Sequence, residues 1–73
     1  MATYGEKAVG LDFNPSGNPD VHMVKTWYAT IIDLCNQNRN ITTSQEAKFL
    51  YSSAILHAIT AQMWSIKALT WKD

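Results

Sequence analysis

The sequence predicts an all-α chain, an antiparallel helical hairpin preceded by an N-terminal arm and assembling into a symmetric homo-oligomer. Three observations predict it. Apolar residues from Pro19 onward recur in steps of three and four, the period of an amphipathic helix. A second start signal, Thr43-Ser44-Gln45-Glu46, opens a stretch with no later proline or glycine. That second stretch carries two different apolar faces, more than one partner helix can cover.

The chain reads as one domain, residues 1–73, with residues 1–18 forming an arm and loop. Residues Met1 to Leu11 show no sustained period and are punctuated by Gly5 and Gly10. Tyr4, Val9, Leu11 and Phe13 are too apolar for a free tail, so the arm is expected to dock, in part as a short extended piece over Ala8–Phe13.

Phe13-Asn14-Pro15-Ser16-Gly17-Asn18-Pro19-Asp20 holds both prolines and predicts a shaped loop that turns directly into a helix. Asn18 suits the N-cap, Pro19 the first helical position and Asp20 the first turn. Such an end presents free backbone N–H groups, and Lys25 stands about two turns in. The pattern is first of all that of a well-capped helix start; its second reading is a place where an anion is captured.

The first long helix is expected over about 19–37, its stripe being Val21, Val24, Tyr28, Ile31 and Cys35. Asn36-Gln37-Asn38-Arg39-Asn40 should end it, with asparagine in a left-handed cap. A short connection returns the chain to a second helix over about 44–71, with Thr43 and Glu46 as a capping box. On it Ala47, Ala54, Ala61 and Ala68 recur every seven residues, while Phe49, Leu56, Ile59, Met63 and Ile66 form a bulkier stripe. The two faces lie roughly 150° apart on a helical wheel. The first helix covers one, so the other is expected to meet another subunit.

Composition points the same way. Apolar residues make up 47% and charged residues 16% of 73 residues, which would leave a small monomer with exposed apolar area. The formal net charge is zero, so the chain lacks the basic footprint of a DNA or RNA duplex binder or a membrane-surface binder. A small anionic ligand needs only a local cluster of donors. Cys35 is the single cysteine, which excludes an intrachain disulfide and a thiolate zinc site. Residues 1–6 have neither a basic nor an apolar region of a signal peptide, and no run is long enough to span a bilayer.

Catalytic constellations are missing from the pattern. His22 and His57 have no partners at metal-ligand spacing, Cys35 lies on an apolar stripe, and the six acidic residues are scattered. The sequence therefore predicts a non-enzyme with no cofactor and no metal. Trp64 and Trp71, seven apart and beside Lys67, read as the seal of an interface or as an aromatic platform next to a cation.

The segment Phe13-Asn14-Pro15-Ser16-Gly17-Asn18-Pro19-Asp20-Val21, the lysine at position 25, and Ala61-Gln62-Met63-Trp64-Ser65-Ile66-Lys67-Ala68-Leu69-Thr70 resemble a family of small tailed-phage proteins. These are the helical-hairpin sponges that block the bacterial cyclic-oligonucleotide defence called CBASS. The resemblance spans residues 13 to 71. It implies a compact homohexamer in the host bacterial cytoplasm that sequesters cyclic dinucleotides such as 3′,3′-cGAMP without cleaving them. In some members cyclic trinucleotides occupy separate pockets. The family pattern implies a base stacked on an N-terminal aromatic, here Tyr4 or Phe13, and a phosphate at Lys25. Asn14 and Pro15 would belong to the same wall, and Arg39, Lys67 and Thr70 would be the candidates for a second pocket.

Overall fold

A computed structural model of residues 1–73 consists of three helices: α1 (Tyr4–Val9), α2 (Pro19–Ile41) and α3 (Gln45–Leu69). The fold is all-helical, and the two long helices pack along one another while α1 lies mainly on α2. Arg39 near the end of α2 meets Ser52 in the first part of α3. Lys25 near the start of α2 shares a concavity with Ile66 near the end of α3.

The N-terminal arm departs from expectation, because residues 4–9 form a helix that takes in Ala8 and Val9 of the stretch expected to be extended. Thr3 and Glu6 form a reciprocal capping box, with the Glu6 amide donating to Thr3 Oγ1 at 3.1 Å and the Thr3 amide to Glu6 Oε1 at 2.8 Å. Gly10 closes the helix in the left-handed conformation, φ 62°, which a side chain rarely adopts. Gly5 is the contact point. A Cβ there would come within 2.1 Å of the Ala29 carbonyl oxygen, so only glycine lets α1 approach α2 this closely. The Gly5 amide donates to Asp33 Oδ1 at 2.6 Å, which gives one of the free N–H groups at the helix start a carboxylate partner.

Helix α2 starts as the sequence predicts: Asn18 Oδ1 accepts from the Asp20 amide at 2.8 Å, with Pro19 in the first turn. It runs four residues past the expected end, to Ile41. The asparagine cluster does not break it, because its side chains find partners along the helix itself. Asn38 Nδ2 donates to the Leu34 carbonyl, and Arg39 bridges Asn36 and Ser52. No asparagine takes a left-handed cap; the chain leaves through Thr42 in an extended conformation.

The cap of α3 is Ser44, one residue later than the expected Thr43, and Ser44 Oγ accepts from the Ala47 amide at 3.1 Å. That shift removes Glu46 from the third helical position and with it the expected capping box. The helix ends at Leu69, two residues short of Trp71. Thr70 leaves helical geometry there, while its hydroxyl donates to the Ile66 carbonyl at 2.8 Å.

The core is Val9, Ala29, Ile32 and Ile55, with Leu11, Tyr28, Cys35, Ala58 and Ile59 packed around it. The inward line of α3 is Ile55, Ala58, Ile59 and Gln62, which lies between the two stripes expected from the sequence. Phe49, Leu56 and Met63 remain exposed on one side of that line, and Ala54 and Ala68 on the other. Ridge packing against α2 uses the middle of the helix and leaves both flanks in solvent.

Candidate functional site

The loop between α1 and α2 is built by its own side chains. The Phe13 amide donates to the Gly10 carbonyl at 2.9 Å, and the Gly17 amide to the Asn14 carbonyl at 3.1 Å. Asn14 sits at the centre, its Nδ2 donating to the Asn18 carbonyl at 3.0 Å and its Oδ1 accepting from Ser16 Oγ at 3.0 Å. Ser16 Oγ in turn accepts from the Asn18 amide. Short polar side chains bonding to nearby backbone are what give Asn and Ser their preference for such turns.

Lys25 reaches into this loop from the second turn of α2. It is 5% exposed, and its Nζ donates to the carbonyl of Gly10 at 2.8 Å and to that of Phe13. The left-handed Gly10 aims its carbonyl at the ammonium, and the Phe13 ring centroid lies 5.5 Å from Nζ. An ammonium has three N–H groups, so two hold the loop and one is left for another acceptor. The structure thus gives Lys25 a loop-fastening role that the sequence pattern did not reveal.

Five of the eight residues singled out from the sequence border one concavity of about 260 Å³: Phe13, Asn14, Pro15, Lys25 and Thr70, with Ile66 as part of the wall. A second concavity of about 480 Å³ shares Phe13, Lys25 and Ile66 with the first and adds Val9, Gln62, Met63 and Lys67. Neither is lined by an acidic side chain, so Lys25 and Lys67 have no carboxylate partner there in a chain whose net charge is zero. That local imbalance favours an anion, more so where water is partly excluded.

The remaining two candidates lie elsewhere. Arg39 Cζ is 5.7 Å from the Tyr4 ring centroid, and its guanidinium donates to Asn36 and Ser52. Of the two aromatics considered, Phe13 is the one beside Lys25 within the chain. Lys67 lies 5.8 Å from the Trp71 ring, at the far rim of the larger concavity. No three His, Cys, Asp or Glu side chains converge on a point that would hold a metal ion, and no helix is long and apolar enough to cross a membrane.

Comparison of the chain with protein-family models, with curated proteins and with solved structures gave no match. Function therefore has to be argued from the site itself. Sequence reasoning missed one residue that holds the arm on α2 and one that lines the larger concavity. Asp33, which anchors α1, sits on a helix that gives no hint of a partner twenty-eight residues away. Gln62, a polar residue seven positions after Ile55, lies on the inward line of α3, which neither expected stripe singled out.

Proposed function

We propose that the chain is an antiparallel helical hairpin that assembles into a symmetric homo-oligomer and sequesters cyclic dinucleotides, 3′,3′-cGAMP among them, without cleaving them. In this reading it is a phage protein acting in the host bacterial cytoplasm, and its ligand is a second messenger of CBASS defence. Cyclic trinucleotides are a further ligand class, for which Lys67 and Thr70 are candidates together with Arg39. The observation that carries the reading is that the end of α3, at Thr70, meets Phe13, Asn14 and Pro15 of the loop and Lys25 of α2 around one acid-free concavity.

The chemistry fits. Phe13 is 73% exposed, a free aromatic face on which a base can stack. The third N–H of Lys25 and the ammonium of Lys67 suit phosphate oxygens. Sequestration requires affinity alone, and the lining residues include no carboxylate or imidazole to serve as a general base.

Self-assembly is supported by surface area. A folded monomer of this mass exposes about 4,500 Å², whereas the chain exposes 5354 Å². The excess is roughly what one partner contributes to a standard interface. The molecule is also thin, 46 × 28 × 12 Å, so neither broad face is covered by a further layer.

The test is to purify the protein from bacteria carrying an active cyclic-nucleotide synthase, release bound material by heat and identify it by mass spectrometry. Intact cyclic dinucleotide is the expected product. A linear or hydrolysed nucleotide would replace the sponge with an enzyme. A second reading, a module that docks a host or virion protein, is favoured by Trp27, Trp64 and Trp71, each about two-thirds exposed. It predicts no nucleotide in the released material.

A further inference from the structure

Gln62 is 4% exposed, and its Oε1 is the one buried side-chain oxygen or nitrogen with no hydrogen-bond partner. An amide carbonyl in that condition forfeits the hydrogen bonds it makes with water in the unfolded chain. Buried polar groups are otherwise paired almost without exception, so an orphan of this kind calls for a reason. Its surroundings supply one. Gln62 lines the larger concavity together with the exposed ring of Phe13, the ammonium groups of Lys25 and Lys67, and the apolar side chains of Met63 and Ile66. An aromatic wall, cations and one amide with spare capacity are the parts needed to hold a planar heterocycle that carries a phosphate.

We propose that Gln62 reads the hydrogen-bonding edge of a purine stacked on Phe13, and so sets which bases the site accepts. This inference rests on the nucleotide-sponge reading above and adds a specificity-determining residue to it. A carboxamide offers an acceptor and a donor on one plane, and its terminal torsion turns easily. It therefore pairs with a purine edge bearing an exocyclic amine or a ring N–H. A purine without those groups leaves Oε1 orphaned and can take from Gln62 only a donated Nε2–H at a ring nitrogen.

The experiment compares wild type with Gln62→Met, a variant of similar length and volume without the amide. Binding of 3′,3′-cGAMP is measured beside binding of an analogue whose two bases are unsubstituted purine. Melting temperature and assembly mass are recorded for the free proteins. Wild type is expected to favour 3′,3′-cGAMP by about tenfold or more. Gln62→Met should bind the two ligands alike, melt higher than wild type because the orphan is gone, and keep its assembly mass.

Equal binding of both ligands by wild type would overturn the proposal, and needs no variant to show it. A lower melting temperature for Gln62→Met would also overturn it, since Oε1 would then have a partner in the free protein. A changed assembly mass would place Gln62 against a second copy of the chain instead. If wild type binds neither ligand, the sponge reading itself falls and this inference falls with it.

Discussion

At residue 5 a single methyl group decides whether α1 can dock. Because a Cβ would meet the Ala29 carbonyl at 2.1 Å, Gly5→Ala should destabilise the fold by about 1–3 kcal/mol, the usual cost of overpacking, measured by urea unfolding. An unchanged midpoint would mean that α1 does not sit against α2 in solution. Lys25 combines two tasks on one ammonium. Lys25→Met is expected to loosen the loop by about 1 kcal/mol through the carbonyls of Gly10 and Phe13, and to weaken cyclic-dinucleotide binding by tenfold or more. Binding equal to wild type would take Lys25 out of the site. The sequence put Lys25 two turns beyond a rigid loop, and that placement stands. Its inward turn was not legible, because it depends on where a left-handed Gly10 aims a carbonyl fifteen residues earlier.

The elements differ in how much of them could be read in advance. Helices α2 and α3 announce themselves by period and by capping residues, but the buried line of α2 is Val21, Lys25, Ala29 and Ile32, and Ile31 of the expected stripe is exposed. Their ends moved because side-chain bonds local to each terminus, such as Asn38 to Leu34 and Ser44 to Ala47, settle the last turns. Helix α1 has six residues, too few to show a period; its legible marks were the Thr3 and Glu6 capping pair and the glycine at position 10. The inward line of α3 was also hidden, since a helix with apolar residues on several sides does not say which side meets its neighbour. Thr3→Ala should cost α1 about 1 kcal/mol and speed amide exchange in residues 6–10 by roughly fivefold, leaving α3 unaffected. Equal acceleration in α3 would mean that α1 and α3 open together as one unit.

At the scale of the whole molecule, eight of 73 residues are buried, and the exposed apolar residues include Phe49, Leu56 and Met63 along one flank of α3. Assembly is the proposed remedy, and it is testable apart from ligand binding. Light scattering should give a mass several times 8.2 kDa, and Leu56→Lys should lower it while leaving the helix content unchanged. A well-folded monomer in the wild-type sample would remove the argument from surface area.

The concavities join the loop after α1 to the end of α3 within a single chain, so the central claim can be put to the purified protein directly. The measurement is calorimetric titration with 3′,3′-cGAMP, followed by recovery of the ligand. The account predicts a dissociation constant at or below about 1 μM, with the nucleotide recovered unchanged. No detectable binding at ten times that concentration, or recovery of a cleaved product, would contradict it.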